Sequence, residues 1–400
     1  MSAAPHTSGK PLVVIETHPI QYRAPVYRAL QKIGIPTTVI YGSDFSVAGY
    51  YDPEFRTQFA WDTDLLSGYA HLFLSTVAQG GGRTYETVST RGMASALRDL
   101  DPGAVLLPGY SPRFHQWAWL HAWRSGRPIL FRGETADRPQ SSGSIQLKAR
   151  DRMLSMLYRK CSKLLYIGRR SREHFTQHGC PDEKLVFSPY CVDPGPFQVG
   201  EDSRPALRAQ ARTELGIGDD DRVLLFSGKL SERKGPDLII DAVRSFPPED
   251  RSRTVIVFLG DGEMKPVLEA AANRPPQVRV CFPGFRNQKE ISRYFHAADL
   301  FVLPSRRLET WGLVVNEALQ HGLPCVVSDA VGCGPDLMVS GSTGEVFASG
   351  SFEALAAAIL RASELIGREE IRDACRAKIA NYSVDRAAEG IAQAYEASLV

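Results

Sequence analysis

Short apolar runs recur along this chain, separated by longer stretches in which apolar residues return every three or four positions. The runs at 12–16, 37–41, 104–107, 128–131, 164–167 and 185–187 read as strands, and 25–31 and 114–123 between them as helices. Strands that are apolar throughout, rather than alternating, are buried on both faces, which is the signature of parallel sheets covered by helices. Pro194, Gly195 and Pro196 interrupt the pattern. It then restarts with a helix at 206–215 and strands at 223–227, 254–259, 278–282, 301–304, 325–328 and 344–347. Helices are predicted at 236–243, 289–297 and 314–320, with further helices through residue 398. The chain therefore reads as two successive α/β units. Residues 43–90 lack either period and are predicted to be irregular, an insertion long enough to suggest a functional loop.

Four hundred residues suit two or three domains. Seven cysteines without paired spacing argue against a disulfide framework or a zinc site, and point to reduced thiols and a cytoplasmic location. The apolar run at 12–15 is too short for a signal sequence or a membrane span. The net charge of +2 conceals an asymmetry. Residues 1–190 carry 23 Lys and Arg against 15 Asp and Glu (23 − 15 = +8), and the remainder 24 against 30 (24 − 30 = −6). Residues 148–172 hold nine of the basic side chains and one acid, Asp151, beside Leu154, Met156, Leu157 and Tyr158. Such a face suits an anionic acceptor or peripheral contact with anionic lipid, and a solvated helix face accounts for it equally. No recognised nucleic-acid module accompanies it, so nucleic acid is not an expected partner.

Candidate chemistry concentrates at 301–347. A short strand ends in Pro304, a loop carries Glu309, Thr310, Trp311 and Gly312, and a helix carrying Glu317 follows, ending at Gly322 and Pro324. Ligands of open α/β sheets bind outside the carboxyl ends of the strands, where Glu309 is expected to lie. Lys229 and Lys234 follow the first strand of the second unit, close enough to reach one anion from a bent loop. A solvated surface explains the lysines, and a helix salt bridge Glu317, without any ligand.

Gly228-Lys229-Leu230, Lys234-Gly235, Gly260-Asp261-Gly262, Gly284, Ala298-Asp299 and the Glu309/Glu317 pair occur in an order and spacing that resembles the retaining glycosyltransferases of family 4. The resemblance is close over 186–350 and looser before it. It implies the GT-B fold: two Rossmann-like domains facing a deep interdomain cleft, here 1–198 joined by a crossover helix at 385–400, and 199–384. It implies retaining transfer of a sugar from a nucleotide sugar to a glycan, lipid-linked or small-molecule acceptor, without a catalytic metal or other cofactor. By the same resemblance Lys229 and Lys234 stabilise the leaving diphosphate, and Glu309 lies by the sugar with the amides of Thr310, Trp311 and Gly312. Glu317 receives the ribose hydroxyls, as an acceptor-only carboxylate can. Gly228 belongs to the phosphate loop, and Gly284 and Phe285 border the nucleobase.

The first unit departs from that family. Its opening loop, Glu16 to Arg23, has no glycine, so His18, Gln21 and Arg23 become candidates for the sugar or acceptor side. Many relatives carry a histidine loop after the strand that ends at Phe131. Here Arg132 and Glu134 stand in its place, as acceptor-side candidates or as a structural pair pinning the loop. His115 and His121 fit the 114–123 helix as well as they fit a site. Two other functions share these features: a GT-B nucleotide-sugar epimerase, and an inactive nucleotide-sugar-binding scaffold.

Overall fold

Leu12–Glu16 (β1) is buried at every position, so it must lie inside a sheet with both faces covered. In the computed structural model, which describes residues 9–52, 57–59, 63–134, 145–307 and 309–399, β1 is an interior strand of the first of two units. That unit comprises 1–50, 58–191 and 383–400, and the second comprises 51–57 and 192–382.

The first sheet continues with Thr37–Tyr41 (β2), Ala70–Phe73 (β3), Ala104–Leu107 (β4), Ile129–Phe131 (β5), Lys163–Tyr166 (β6) and Leu185–Phe187 (β7). All seven strands are parallel, in the order β3-β2-β1-β4-β5-β6-β7. Strand β3 falls in the stretch predicted to be irregular. It is an edge strand with no buried residue, so its sequence carries neither an apolar run nor alternation.

Helices cover both faces. Ala24–Lys32 (α1), with Pro25 in its first turn, joins the later helix Val384–Glu396 over one core, where Leu30, Val39, Ala388 and Ile391 meet. Met93–Leu100 (α2), Arg113–Arg124 (α3) and Ile145–Lys160 (α4) cover the other, around Phe114, Phe131 and Tyr158. Helix α4 revises the apolar-basic face read from sequence. Leu154 and Tyr158 are fully buried in the core, whereas Met153 and Met156 point outward.

The second unit holds Arg222–Ser227 (β8), Thr254–Leu259 (β9), Arg279–Gly284 (β10), Leu300–Leu303 (β11), Cys325–Ser328 (β12) and Gly344–Phe347 (β13), parallel in the order β10-β9-β8-β11-β12-β13. One carboxylate ties its first helix, Arg204–Leu215 (α5), to the sheet. Asp299 receives Arg208 at 2.8 Å, Arg212 at 2.9 Å and the backbone N–H of Val223 at 2.8 Å. Among the described residues no helix is long and apolar enough to cross a membrane. The seven cysteines are free thiols.

Gly390 shows how closely the helix Val384–Glu396 is seated. A methyl group there would lie 2.0 Å from the Phe187 carbonyl oxygen of β7. Gly→Ala inside a helix ordinarily stabilises by up to about 1 kcal/mol. Here the collision outweighs propensity, so Gly390→Ala is expected to destabilise by roughly 1–3 kcal/mol, the usual cost of overpacking. A denaturant midpoint at or above that of the parent would show that the helix is not held this way.

Candidate functional site

Because the strands of the second unit are parallel, the loops after β8, β10 and β11 all leave from one edge of its sheet. After β8 the chain turns through Gly228, whose φ of +142° suits glycine. Gly260, after β9, approaches so closely that a methyl group there would lie 2.0 Å from the Gly228 carbonyl oxygen. Leu230 N–H donates to the Asp261 carbonyl at 2.9 Å, so the Gly260-Asp261-Gly262 turn buttresses the loop carrying Lys229 and Lys234.

That loop meets the one after β11 through the Arg306 N–H, which donates to the Arg233 carbonyl at 2.9 Å, and through one carboxylate oxygen. Glu309 Oε2 receives Lys234 Nζ at 2.5 Å, Ser305 Oγ at 3.1 Å and Arg233 Nη1 at 3.3 Å. The Glu309 backbone is held as well: its carbonyl accepts from Gly332 N–H at 2.9 Å, and the Trp311 carbonyl from Cys333 N–H at 3.0 Å. Gly312, at φ +98°, then opens the helix Leu313–Gln320 (α6), and a side chain there would press on Val331 and Leu303. Thr310 is half-buried beside it. The Trp311 indole turns inward, where it donates to Asn316 Oδ1 at 2.9 Å and lies 5.7 Å from the Tyr382 ring. Only its backbone remains for a ligand.

Glu317 sits half-buried on α6, and among the described residues no cation or hydrogen-bond donor meets its carboxylate. Burial pushes its carboxyl up to about 8. Gly284, at φ +80°, ends β10, and the half-buried Phe285 follows with its carbonyl accepting from Arg286 Nη1 at 3.2 Å.

The first unit gathers a different set at its own carboxyl edge. Glu16 ends β1, 1% exposed, and receives Arg23 Nη1 on both oxygens at 2.8 and 2.7 Å as well as the Tyr27 hydroxyl. Arg23 Nη2 reaches Glu134 Oε1 at 2.8 Å, and the Tyr190 hydroxyl donates to the same oxygen. Glu134 is thus paired to Arg23 and not to its near neighbour in sequence. Arg132 turns the other way, donating to Ser188 Oγ at 3.0 Å and to the Pro189 carbonyl at 2.6 Å, with its guanidinium 5.5 Å from the centre of the Tyr190 ring.

His18 shares a 2.8 Å hydrogen bond with Thr17 and lies against Phe45, ring centres 4.4 Å apart. Burial, opposed by the nearby Glu16 carboxylate, pushes His18 down to about 4, so it is neutral at physiological pH. His115, on α3, binds the Ser111 carbonyl through Nδ1 at 2.8 Å, leaving Nε2 buried without a partner. Gln21 Oε1 and Arg23 Nε are likewise buried and unsatisfied. No group of three or more His, Cys, Asp or Glu among the described residues could hold a metal ion.

Sequence reasoning missed Glu16, Tyr190, Arg233 and Ser305. A glutamate closing an otherwise apolar strand was a readable signal for Glu16. Nothing local marks Ser305 or Tyr190.

Two parallel, helix-covered sheets of this kind define the GT-B fold, and solved structures of it superpose on most of the chain. The Anabaena HepE protein in complex with UDP does so with a TM-score of 0.70 at 17% identity, covering 96% of this chain and 98% of its own. A glycosyltransferase from Rickettsia africae gives a TM-score of 0.70 at 14% identity, covering 98% and 99%. Residues 208–382, which lie within the second unit, match the model of the glycosyl transferases group 1 family. Among curated relatives, the D-inositol 3-phosphate glycosyltransferase of Streptomyces coelicolor is 30% identical over 264 residues, 58% of this chain and 56% of that protein. The same-named protein of Nocardioides sp. is 35% identical over 174 residues, 38% and 37%. The chain thus spans about half or less of the length of the curated relatives it matches.

The unpaired Glu317 carboxyl gives a pH test. Between the ordinary carboxyl value of 4.5 and about 8, the folded protein keeps a proton that the unfolded chain has released. Stability therefore falls as pH rises through that window. Glu317→Gln, which has no charge to bury, should be more stable than the parent at pH 9, by on the order of 1–3 kcal/mol. The two should match at pH 4. Thermal melts with parallel pH profiles would contradict this reading of Glu317.

Proposed function

We propose that the chain is a retaining glycosyltransferase whose second unit binds a nucleotide sugar and whose first unit binds the acceptor hydroxyl. The observation that carries this reading is the meeting of Lys234, Arg233 and Glu309 at one sheet edge, with the unpartnered Glu317 on the helix that follows. Cations there stabilise charge that develops on a departing diphosphate, and they do so more strongly in the transition state than in the ground state. Lys229, Lys234 and Arg233 carry that charge, in place of a divalent metal. Glu309 and the amides of Thr310, Trp311 and Gly312 hold the sugar, Glu317 accepts from the ribose hydroxyls, and Gly228, Gly284 and Phe285 frame the phosphates and base.

In the proposed step the bond between the anomeric carbon and the phosphate oxygen breaks. The acceptor oxygen then bonds to the same face of the sugar, and its proton passes to the departing phosphate. The names of the relatives support UDP as the first nucleotide to test and a phosphorylated polyol as one acceptor class. On the first unit, His18, Gln21, Arg23 and Glu134 form the acceptor side, with Arg132 acting through Tyr190. The outward Met153 and Met156 beside Arg152, Arg159 and Lys160 support a membrane-presented acceptor.

The test is a panel of UDP-, GDP-, ADP- and dTDP-sugars, each offered with soluble acceptors and with acceptors on phosphatidylglycerol vesicles. Products are read by mass spectrometry and anomeric configuration by NMR. Transfer with retention is expected. An isomerised nucleotide sugar formed without acceptor would instead indicate an epimerase, and nucleotide binding without turnover a scaffold.

Lys234→Ala is expected to lower turnover by ~10²–10³-fold, the loss typical of one stabilising donor. Parental turnover would remove Lys234 from the chemistry. Glu134→Gln should leave donor affinity unchanged while transfer at limiting acceptor falls by roughly 10–100-fold, the scale of a charged hydrogen bond. Equal losses of donor affinity and melting temperature would make Glu134 structural.

A further inference from the structure

The helix layer of the first unit carries a feature that neither cluster uses. A groove of about 570 Å³ runs between α2 and α3, lined by Thr90, Arg91, Ser95, Arg98, Trp117 and His121 among others, with no acidic residue among the described residues of its wall. Its volume falls within the range of about 300–1,000 Å³ common to ligand sites.

Helix α3 buries Phe114, Ala118 and Ala122 in the core, which leaves Trp117 and His121, one turn apart, on its outer side. Trp117 is 52% exposed. Helix α2 likewise commits Met93 and Leu97 to the core, so Arg98 stays outside, and Arg91 stands just before the helix begins. Neither guanidinium makes an ion pair or hydrogen bond among the described residues, and the His121 ring has no hydrogen-bond partner there. The wall therefore combines a half-exposed indole, two cations without a partner among the described residues, and the hydroxyls of Thr90 and Ser95, the latter donating to the Gly92 carbonyl at 2.9 Å and still able to accept.

We propose that this groove is a binding site for an acidic saccharide. A pyranose presents a face of C–H groups that packs on an indole while its hydroxyls stay free for Thr90, Ser95 and His121. A carboxylate or phosphate substituent matches the guanidinium forks of Arg91 and Arg98. A neutral sugar leaves both arginines without a counter-charge, and a bare anion leaves the indole in water. Only a ligand with both parts covers the whole wall. The assignment does not depend on the catalytic reading.

Titration of the full chain with trigalacturonate, followed by calorimetry and tryptophan fluorescence, tests this. Maltotriose, inorganic phosphate, uridine monophosphate and phosphatidylglycerol vesicles serve as competing probes. Saturable trigalacturonate binding is expected, with maltotriose and phosphate weaker by about tenfold or more. Trp117→Ala and Arg98→Ala should each weaken it about five- to tenfold at an unchanged melting temperature. Trp117→Phe, which keeps a stacking face, should retain most of the affinity, and Arg98→Ala should flatten the salt dependence. The proposal is overturned by absence of trigalacturonate binding at millimolar concentration, or by parental affinity in Trp117→Ala. It is equally overturned if phosphate or uridine monophosphate binds as tightly through these residues. Trp117-dependent vesicle binding that trigalacturonate fails to displace would assign the surface to lipid instead.

Discussion

Oε2 of Glu309 joins two loops of the second unit that share no local sequence. Lys234 and Glu309 are each only 12% exposed, so neither charge is fully solvated and each depends on the other. Removing either partner of such a pair leaves a poorly hydrated charge, which costs more than the pair itself contributes. An anion that approaches Lys234 must compete with Glu309, and the displaced carboxylate must find new donors. On the proposed reading an intact nucleotide sugar meets both demands, with phosphate oxygens for the lysine and sugar hydroxyls for the glutamate. A nucleoside diphosphate without its sugar meets only one. On that reading the pair favours the uncleaved donor over the product left after transfer.

The first unit meets the same problem by another route. Glu16 is buried outright, and Arg23 with Tyr27 neutralises it at the end of β1. A glycine-free loop therefore still has a fixed shape, because a guanidinium fork does what backbone amides do in phosphate-binding loops. The same fork reaches Glu134, so the loops after β1 and β5 are coupled by charge.

The two α/β units were legible in the sequence because fully buried parallel strands write themselves as apolar runs, as at Val223 to Phe226 and Val255 to Phe258. Strand β3 was not, since an edge strand with exposed positions needs no apolar signature. For the candidate site, the acidic loop after β11 and the lysines after β8 were visible from spacing around strand ends. The contacts among them were not. Arg233 and Glu309 lie 76 residues apart, and such a pairing has no period to detect. Arg132 and Arg23 show the limit most sharply. Both are loop arginines in sequence, yet one is committed to backbone and hydroxyl oxygens and the other to two carboxylates.

The helix Val384–Glu396 contributes Ala387, Ala388, Ile391, Ala394 and Tyr395 to the core beneath α1 and β1. Those residues leave the ribosome after the whole of the second unit, whereas the sheet they cover is made before it. All the residues of the second unit are available while the first still exposes an apolar face where the helix will lie. Vectorial synthesis therefore inverts the order of completion: of the two units, the one begun first is finished second, and the nascent chain must shield that open face from aggregation while the whole second unit is made.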